Sequence, residues 1–397
     1  MTQLLPHPTR RPLPLPAVLA PAAASTLFAL TPIRRPFAAA TAGWVLSLPA
    51  LELPLHVGVV VGAATAPVLA RRSTRPSDVI GVGMAVLTCA GLGLVSTRQL
   101  AAARVLDRAL AEPHDVAGET AGKSTTTTTP PSPRHRTPWP AVLLAPWPNV
   151  PRAVRARRGM VYGPDPAANR FDLYTCTNGA PARGVLIHIH GGHFRAGGPS
   201  RESRAMLFDH ARRGWAAISA TYHLSPTPES GFPQHLVDIK RLIRWIRAEG
   251  PDHGIPATTP IVVAGSSAGA HIAMMTALTA GDPEYQPGFE DVDTSLAGAI
   301  GLYGYYGRLG PATKETSDPV RRPATGAPPV AIIHGTLDTY TPVRGSRRLV
   351  GHLRAASANP VVYAELPGAQ HGFDAVRSPR YLAVVAALRR FTEPLAG

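Results

Sequence analysis

From about residue 150 to the end of the chain, short apolar segments alternate with segments that have one apolar helix face. In residues 233–249, for example, apolar residues recur at helical spacing. Strands that alternate with helices form a parallel sheet, because each crossover helix packs on a face of the sheet and covers it. The sequence therefore predicts an α/β fold for residues 150–397. The predicted strands are residues 184–190, 216–222, 261–266, 297–303 and 329–335.

The first 112 residues have a different composition, rich in Ala, Leu, Val, Pro and Gly. Residues 53–70 and 79–95 contain no Asp, Glu, Lys or Arg, and each approaches the length of about 20 apolar residues that crosses a bilayer. Residues 17–33 and 37–51 are also apolar, so the sequence is compatible with two, three or four spans. A buried helix pair in a soluble domain is the alternative. Two such segments close together favour a membrane-anchoring helical region over residues 1–112.

A short amphipathic helix, residues 98–112, is expected to leave the membrane, and a Thr- and Pro-rich linker is predicted over residues 113–149. Within the linker, residues 117–124 (AGETAGKS) fit a loose phosphate-loop pattern. A phosphate loop requires a strand before it and a helix after it, whereas the flanks here are Pro113 and a run of threonines. We therefore reject a nucleotide-binding site.

The formal net charge is +15, and arginine carries most of it. The arginines are scattered or flank apolar segments, and no basic block is interleaved with aromatic residues. This pattern is typical of charge beside a membrane and argues against nucleic-acid binding. The two cysteines, Cys89 and Cys176, are too few for a disulfide framework, and Cys176 is expected to be inert.

The motif Gly265-Ser266-Ser267-Ala268-Gly269 lies between a predicted strand and a segment, AHIAMMTAL, that is expected to be helical. A strand, a sharp turn and a helix are the context in which a serine nucleophile is presented. Small residues at both ends of the motif allow the chain to pack closely around the turn. We predict that Ser267 is the nucleophile and that Ser266 makes a local hydrogen bond.

A serine hydroxyl at neutral pH needs a base that takes its proton and a carboxylate that orients the base. Asp338 follows the predicted strand at 329–335, and His371 follows another short strand, VVYAEL. Loops at the carboxyl ends of parallel strands meet at one edge of the sheet. The order Ser267, Asp338, His371 therefore predicts a catalytic triad. Asp374 is the alternative acid, but it lies too close to His371 along the chain to orient it easily.

The stretch HIHGGH allows two interpretations. Its three histidines have the spacing of metal ligands in a metallo-hydrolase. Alternatively, the amides of Gly191 and Gly192, together with that of Ala268, would bind the oxyanion that forms beside a serine nucleophile. The metal motif has an acidic residue where this chain has Gly192, and flexible glycines support metal ligands poorly. We therefore favour the oxyanion loop and expect no metal and no organic cofactor. The rejected metal ligands are His188, His190 and His193.

Together these motifs resemble the α/β-hydrolase superfamily over residues 155–392, in the branch of hormone-sensitive-lipase-like and related carboxylesterases. With its apolar N-terminal region, the chain is similar to bacterial membrane-anchored lipases and esterases of that superfamily. The resemblance implies an α/β-hydrolase fold and the hydrolysis of carboxylic esters. The segments that carry it are HGGHF (190–194), YHLSP (222–226), FPQHLVDIKRLIRWI (232–246), GSSAG (265–269), HGTLD (334–338) and AQHGF (369–373).

The resemblance also refines the site. By position, the oxyanion donors would be the amides of Gly192 and His193, joined by that of Ala268. The family usually has Gly or Ala where this chain has His193. It commonly has Tyr-Arg-Leu where this chain has Tyr-His-Leu, with His223 at the arginine position. A salt bridge that depends on that arginine is therefore expected to be missing.

The expected substrate is a small-molecule or lipid ester, and the expected partner is a membrane. An amidase, a formamidase or a peptidase would use the same triad. A non-catalytic binding protein would keep the fold, but the complete Ser-Asp-His set argues against it. Asp238 is expected to be a structural acid that holds its helix against the sheet. The motif YGYYG at residues 303–307 would either line a substrate pocket or belong to the core.

Overall fold

The computed structural model describes residues 13–112, 136–310 and 315–397. Most of the predicted linker, including the rejected phosphate-loop motif, lies outside these ranges. The chain divides into two compact units, Met1–Thr97 and Arg98–Gly397. The second unit therefore begins earlier in the chain than the catalytic domain predicted from residue 150.

Apolar helices make up the described part of the first unit. They are α1 (Leu15–Leu30), α2 (Phe37–Glu52), α3 (Pro54–Ala70) and the first part of α4 (Pro76–Ala111). Helix α4 has 36 residues and a window of mean hydropathy 2.1, so it is long and apolar enough to cross a membrane. Helices α2 and α3 meet that standard only as a pair, and they are bent by 84° at the break between them. By length and composition, the described residues hold one candidate span, or two if the bent pair counts as one.

The helix boundaries refine the predicted segments. The apolar segment 53–70 forms α3, and the segment 79–95 lies inside α4. The separate amphipathic helix expected over residues 98–112 is instead a continuation of α4. Residues 98–111 contain neither Pro nor Gly and consist largely of Ala, Leu and Arg, which are strong helix formers, so nothing in the sequence ends the helix earlier.

An eight-stranded sheet lies at the centre of the second unit, in the order β1-β2-β4-β3-β5-β6-β7-β8. Strands β1, β2 and β4 pair antiparallel, and the pairs from β4 through β3 to β8 are parallel. The five predicted strands are present as β3 to β7, and VVYAEL forms β8. The strands are β1 (Val154–Val161), β2 (Arg170–Cys176), β3 (Gly184–Ile189), β4 (Trp215–Ala220), β5 (Ile261–Ser266), β6 (Gly298–Leu302), β7 (Val330–Gly335) and β8 (Val361–Leu366).

Helices cover both faces of the sheet. Helices α7, α8 and α9 pack on one face, while α6, α10 and residues 102–109 of α4 pack on the other. The predicted helix at residues 233–249 is α7. The remaining helices are α5 (Trp139–Leu144), α6 (Arg204–Ala211), α7 (Gln234–Glu249), α8 (Ala268–Leu278), α9 (Arg344–Ala356) and α10 (Pro379–Thr392). A mostly parallel sheet between two helical layers is the predicted α/β architecture.

Strand register brings the functional loops together at the carboxyl edge of the sheet. Ile189, the last residue of β3, is paired with Gly265 of β5, so the glycine loop after β3 starts beside the serine motif. Gly335 of β7 is paired with Leu366 of β8, so the loops that carry the predicted acid and histidine also start side by side.

Candidate active site

The serine motif is a left-handed turn between β5 and α8. Ser267 has φ 56° and ψ −115°, a conformation that serine seldom adopts. Space requires the glycines at both ends of the motif. A Cβ at Gly265 would lie 2.1 Å from the carbonyl oxygen of Gly269, and one at Gly269 would lie 2.1 Å from that of Ile189. The turn therefore presents Ser267 at the carboxyl edge of the sheet, as a nucleophile elbow does.

The three predicted catalytic side chains lie within hydrogen-bonding distance of one another. Nε2 of His371 is 2.9 Å from Oγ of Ser267, and Nδ1 of His371 is 2.9 Å from Oδ2 of Asp338. All three residues are buried. With Nδ1–H donating to the carboxylate, Nε2 is left to accept the proton of the serine hydroxyl. A general base requires this arrangement.

Asp338 accepts several hydrogen bonds besides that of His371. Its Oδ1 accepts from the N–H groups of Tyr340 and Thr341 at 2.9 and 2.8 Å, and its Oδ2 accepts from the Thr341 hydroxyl at 3.1 Å. Burial raises the pKa of Asp338, but His371 and His334 outweigh this effect and hold the pKa below its ordinary value. Asp338 is therefore ionised at neutral pH and can stabilise a protonated His371.

The glycine loop after β3 lies directly beside Ser267. A Cβ at Gly191 would lie 3.0 Å from Cβ of Ser267. Gly192 has φ 121°, and a Cβ there would lie 1.7 Å from the carbonyl oxygen of Ala196. Glycine is therefore required at position 192, both for its backbone conformation and for space.

The four predicted oxyanion donors differ in availability. The N–H of Gly191 donates to Oε1 of Glu202, so Gly191 does not fit its predicted role as a donor. The N–H groups of Gly192 and His193 have no protein acceptor within the residues that the structure describes. Ala268 is the first residue of α8, where an N–H has no acceptor within the helix. These last three amides are available to bind an oxyanion beside the nucleophile.

The three histidines near this loop have separate partners. Nε2 of His188 is 3.0 Å from Oγ of Ser266, and Nε2 of His190 is 3.0 Å from Oγ1 of Thr221. Burial lowers the pKa of His188 to about 3 and that of His190 to about 4, so both rings are neutral. His193 is exposed. Across residues 13–112, 136–310 and 315–397, no group of three His, Cys, Asp or Glu side chains is placed to hold a metal ion.

Aromatic rings surround His371. The ring centroid of Tyr340 lies 4.9 Å from that of His371 and 6.2 Å from that of His193. The ring of Tyr303 lies 4.7 Å from the His371 ring. Thr341 Oγ1 is 3.1 Å from Nδ1 of His371. Tyr340 and Thr341 were not predicted from the sequence, because no motif marks them and only the fold of the acid loop places them here.

Asp374, the alternative acid, is occupied by other donors. It accepts hydrogen bonds from the hydroxyl groups of Ser266 at 2.7 Å, of Ser203 and of Tyr303. Because Ser266 donates its proton to Asp374, it accepts from Nε2–H of His188. The hydroxyl of Ser266 therefore bonds to residues far away along the chain and not locally as was expected, and Asp338 is the carboxylate that contacts His371.

Asp238 connects α7 to the segment after β4. Its Oδ2 accepts from both the N–H and Nδ1 of His223, at 2.8 and 2.7 Å, and its Oδ1 lies 3.2 Å from Nη1 of Arg241. These contacts of Asp238 take the place of the salt bridge that was expected to be missing. His223, at the position where the resemblance implies an arginine, contacts Asp238, and Arg241 supplies a cation from the next helical turn.

A cavity of about 470 Å³ lies beside the acid loop. The YGYYG motif contributes to both predicted environments. Tyr303 and Tyr306 are buried in the core, and Tyr305 is 40% exposed; Tyr305 and Tyr306 both line the cavity. The residues that line the cavity are Gly304, Tyr305, Tyr306, Gly307, Thr341, Pro342, Arg344, Gly345 and Arg348.

Esterases are among the solved structures that share this fold. A truncated form of a carbohydrate esterase from gut microbiota is 18% identical and matches with a TM-score of 0.52, covering 61% of this chain and 96% of that one. Thermogutta terrifontis esterase 2, phosphonylated by cyclosarin, is 22% identical, with a TM-score of 0.52 and coverage of 62% and 96%. At these identities the likeness shows the α/β-hydrolase fold.

Sequence relatives establish the family. The family model described as BD-FAE matches residues 171–306. The probable carboxylic ester hydrolase LipM of Mycobacterium tuberculosis (strain ATCC 25618 / H37Rv) is 30% identical over 416 residues, which cover 94% of this chain and 91% of LipM. Esterase LipQ of the same organism is 32% identical over 262 residues, covering 59% of this chain and 62% of LipQ. With the fold and the site described above, these matches show that the chain belongs to the α/β-hydrolase family of carboxylic ester hydrolases.

Proposed function

We propose that this enzyme cleaves carboxylic esters through a Ser-His-Asp triad and an acyl-enzyme intermediate. The observation that carries the proposal is the pair of 2.9 Å contacts that connect Ser267 to His371 and His371 to Asp338. The left-handed backbone at Ser267 and the ionised state of Asp338 support the same assignment.

In the first step, His371 Nε2 takes the proton of Ser267 as Oγ attacks the ester carbonyl carbon. The carbonyl oxygen becomes an oxyanion, which the amides of Gly192, His193 and Ala268 would bind. Each such donor is typically worth about 3 kcal/mol of transition-state stabilisation. Breakage of the bond to the alcohol oxygen, which takes the proton from His371, leaves an acyl-serine. Water then attacks the acyl-serine with His371 again as base, and releases the carboxylic acid.

A fluorophosphonate probe tests the assignment of the nucleophile in the full-length protein. Wild-type protein is expected to form a stable covalent adduct, and Ser267→Ala is expected to form none, because the reacting oxygen is gone. Ser266→Ala is the matched control, since Ser266 is a buried serine in the same turn but points to Asp374. Labelling of Ser266→Ala should persist. An unlabelled wild type, or a Ser267→Ala variant labelled like the wild type, would contradict the mechanism.

We also propose that the N-terminal helices anchor the enzyme in a membrane. Helix α4 is long and apolar enough to span the bilayer. Large apolar side chains of α3 and α4 are exposed, among them Val59 at 72% and Leu87 at 75%, which a lipid environment would accommodate. The proposed anchor ends inside α4, because Ala102, Leu106 and Ala109 are buried in the core of the catalytic unit. The fluorophosphonate-labelled protein should therefore remain in the membrane pellet after an alkaline carbonate wash, and its release would contradict the anchor.

The cavity beside the acid loop is proposed to hold part of the ester. Gly345 lines this cavity, and a Cβ there meets no atom within 4 Å, so Gly345→Phe would fill the space without displacing the backbone. We expect Gly345→Phe to lower kcat/KM for esters with bulky groups by about tenfold or more relative to an acetate ester, because a smaller pocket excludes a bulky group but not an acetyl group. The measurement is kcat/KM over a series of chain lengths.

Gly351→Phe is the control for this substitution. Gly351 also lies in α9 and also has nothing within 4 Å of an added Cβ, but it does not line the cavity. It should leave the chain-length preference unchanged. If Gly345→Phe lowered kcat/KM equally for short and long esters, the cavity would not be part of the substrate site.

A further inference from the structure

Two buried carboxylates outside the triad lie next to the catalytic loops. Glu202 is 6% exposed and Asp374 is 1% exposed. Asp374 follows His371 by three residues, and it accepts a hydrogen bond from Ser266, the residue before the nucleophile, at 2.7 Å. Asp374 therefore joins the histidine loop to the serine turn.

Glu202 makes the corresponding connection to the oxyanion loop. Its Oε1 accepts the N–H of Gly191, and its Oε2 lies 2.5 Å from Nε of Arg201. The next residue, Ser203, donates its N–H to the main-chain oxygen of Asp374 at 3.2 Å and its hydroxyl to the Asp374 carboxylate. Glu202 and Asp374 thus belong to one buried network that reaches the serine turn, the histidine loop and the oxyanion loop.

The oxyanion loop needs external support because its backbone is strained. Gly192, His193 and Phe194 follow one another with φ of 121°, 58° and 62°. Non-glycine residues disfavour this left-handed region and keep it only where the surroundings hold them there. At the far end of the loop, the carbonyl of Phe194 accepts the N–H of Ser225 at 3.0 Å. At the near end, Glu202 accepts the N–H of Gly191, and Nδ1 of His190 lies 2.6 Å from the carbonyl oxygen of Gly191.

A buried carboxylate is a costly acceptor for a single N–H. Burial and the charge of Asp374 raise the pKa of Glu202, and Arg201 offsets this only in part. Buried ion pairs are often replaceable by apolar side chains without loss of stability, so stability alone gives no reason for Glu202 at this place. An acceptor oxygen held on a fixed segment does have one particular use, because a hydrogen bond is directional and fixes the orientation of the peptide that donates to it.

We propose that Glu202 is a positioning residue for the oxyanion hole. By accepting the N–H of Gly191, it fixes that peptide plane and thereby aims the next two amides, those of Gly192 and His193, at the oxygen of the reacting carbonyl. The proposal rests on the serine mechanism proposed above. In this role the length of the Glu202 side chain and the direction of its hydrogen bond matter, and Glu202 itself does not touch the substrate.

Two variants separate the effect of side-chain length from the effect of charge. Glu202→Gln keeps the length of the side chain and an acceptor oxygen but removes the charge, whereas Glu202→Asp keeps the charge and is one methylene shorter. In the full-length protein, with kcat expressed per fluorophosphonate-labelled site, we expect Glu202→Gln to stay within about fivefold of wild type. We expect Glu202→Asp to lose about a hundredfold in kcat, because a misplacement of about 1 Å has roughly this effect, while KM changes by less than about threefold.

A tetrahedral analogue provides a second readout. The serine oxygen adds reversibly to the carbonyl carbon of an alkyl trifluoromethyl ketone. The alkoxide that forms then lies in the oxyanion hole. In Glu202→Asp its inhibition constant should rise by about the factor by which kcat/KM falls, since both report binding of the oxyanion. Competitive inhibition by the alcohol product, which forms no oxyanion, should not change.

Asp209→Asn is the control for general destabilisation. Asp209 is a buried acid in α6 that pairs with Arg212 and Arg213 at 3.2 and 3.1 Å, away from the catalytic loops. It should lower Tm and leave kcat per labelled site unchanged. Wild-type kcat in Glu202→Asp, or a Glu202→Gln variant as impaired as Glu202→Asp, would overturn the proposal. An unlabelled wild type would instead refute the serine mechanism, so the two failures are distinguishable.

Discussion

Replacing His371 with alanine is expected to lower kcat by about a million-fold for an ester of a simple alkyl alcohol. Without the imidazole, Ser267 has no base at 2.9 Å to take its proton, and the alkoxide leaving group has no acid to protonate it. An alkyl ester is the appropriate substrate, because an activated ester such as a nitrophenyl ester leaves without protonation and would hide half of the effect. The measurement is kcat at saturating ester, per mole of folded protein.

The control for this experiment is His352→Ala. His352 lies in α9 and hydrogen-bonds through Nε2 to the carbonyl of Arg322 at 2.8 Å, outside the catalytic loops. Its loss should change Tm more than kcat. If His371→Ala retained more than about one per cent of wild-type kcat while folded, another group would have to act as the base.

Replacing Asp338 with asparagine is expected to lower kcat by about ten-thousand-fold. The asparagine nearly preserves the shape, but its amide can hold the imidazole in the wrong tautomer and cannot stabilise the imidazolium that forms during attack. The carboxyl group of Asp338 has a lowered pKa. The stabilisation that its ionised form provides is therefore fully present above the ordinary pKa of an aspartate, and it is lost only as pH falls through the lowered pKa. The loss in Asp338→Asn should therefore be seen across the whole neutral range of a pH profile.

Asp238→Asn is the matched control for the acid. Asp238 is also a buried carboxylate bonded to Nδ1 of a histidine, His223, at 2.7 Å, but no serine lies on the other side of that ring. This variant should lower stability and leave kcat per labelled site close to wild type. A comparable loss of kcat in both variants would mean that the loss in Asp338→Asn comes from a disturbed fold and not from a missing step in catalysis.

The catalytic loops were largely predictable, because local sequence determines them. The apolar strands β3 to β7 are buried along their whole length, so each reads as a continuous apolar run. The glycine loop, the serine motif and the acid loop follow such runs, whereas the loop of His371 follows β8, which is only partly buried. Since parallel strands end at one edge, finding the strands was enough to bring Ser267, Asp338 and His371 together, and the structure has them at 2.9 Å.

Other features depend on contacts that no local pattern encodes. Strand β1, VRARRGMV, is an edge strand with mostly exposed side chains, so its sequence lacks the apolar signal of the central strands. Glu202 lies 11 residues after Gly191 on the chain, and only the fold turns its carboxylate toward that amide. The replacement of the family's arginine by His223 likewise became interpretable only when its distance to Asp238 was known.

The left-handed backbone at Ser267 makes the reactivity of this serine a property of the whole catalytic unit. A chain released from its tertiary contacts would relax that residue toward ordinary dihedral angles, and the hydroxyl would lose its imidazole partner at the same moment. On the serine mechanism proposed above, a phosphonylating reagent would therefore count natively folded molecules. Titration of the adduct against temperature or denaturant would follow the unfolding of this enzyme as directly as a spectroscopic signal does.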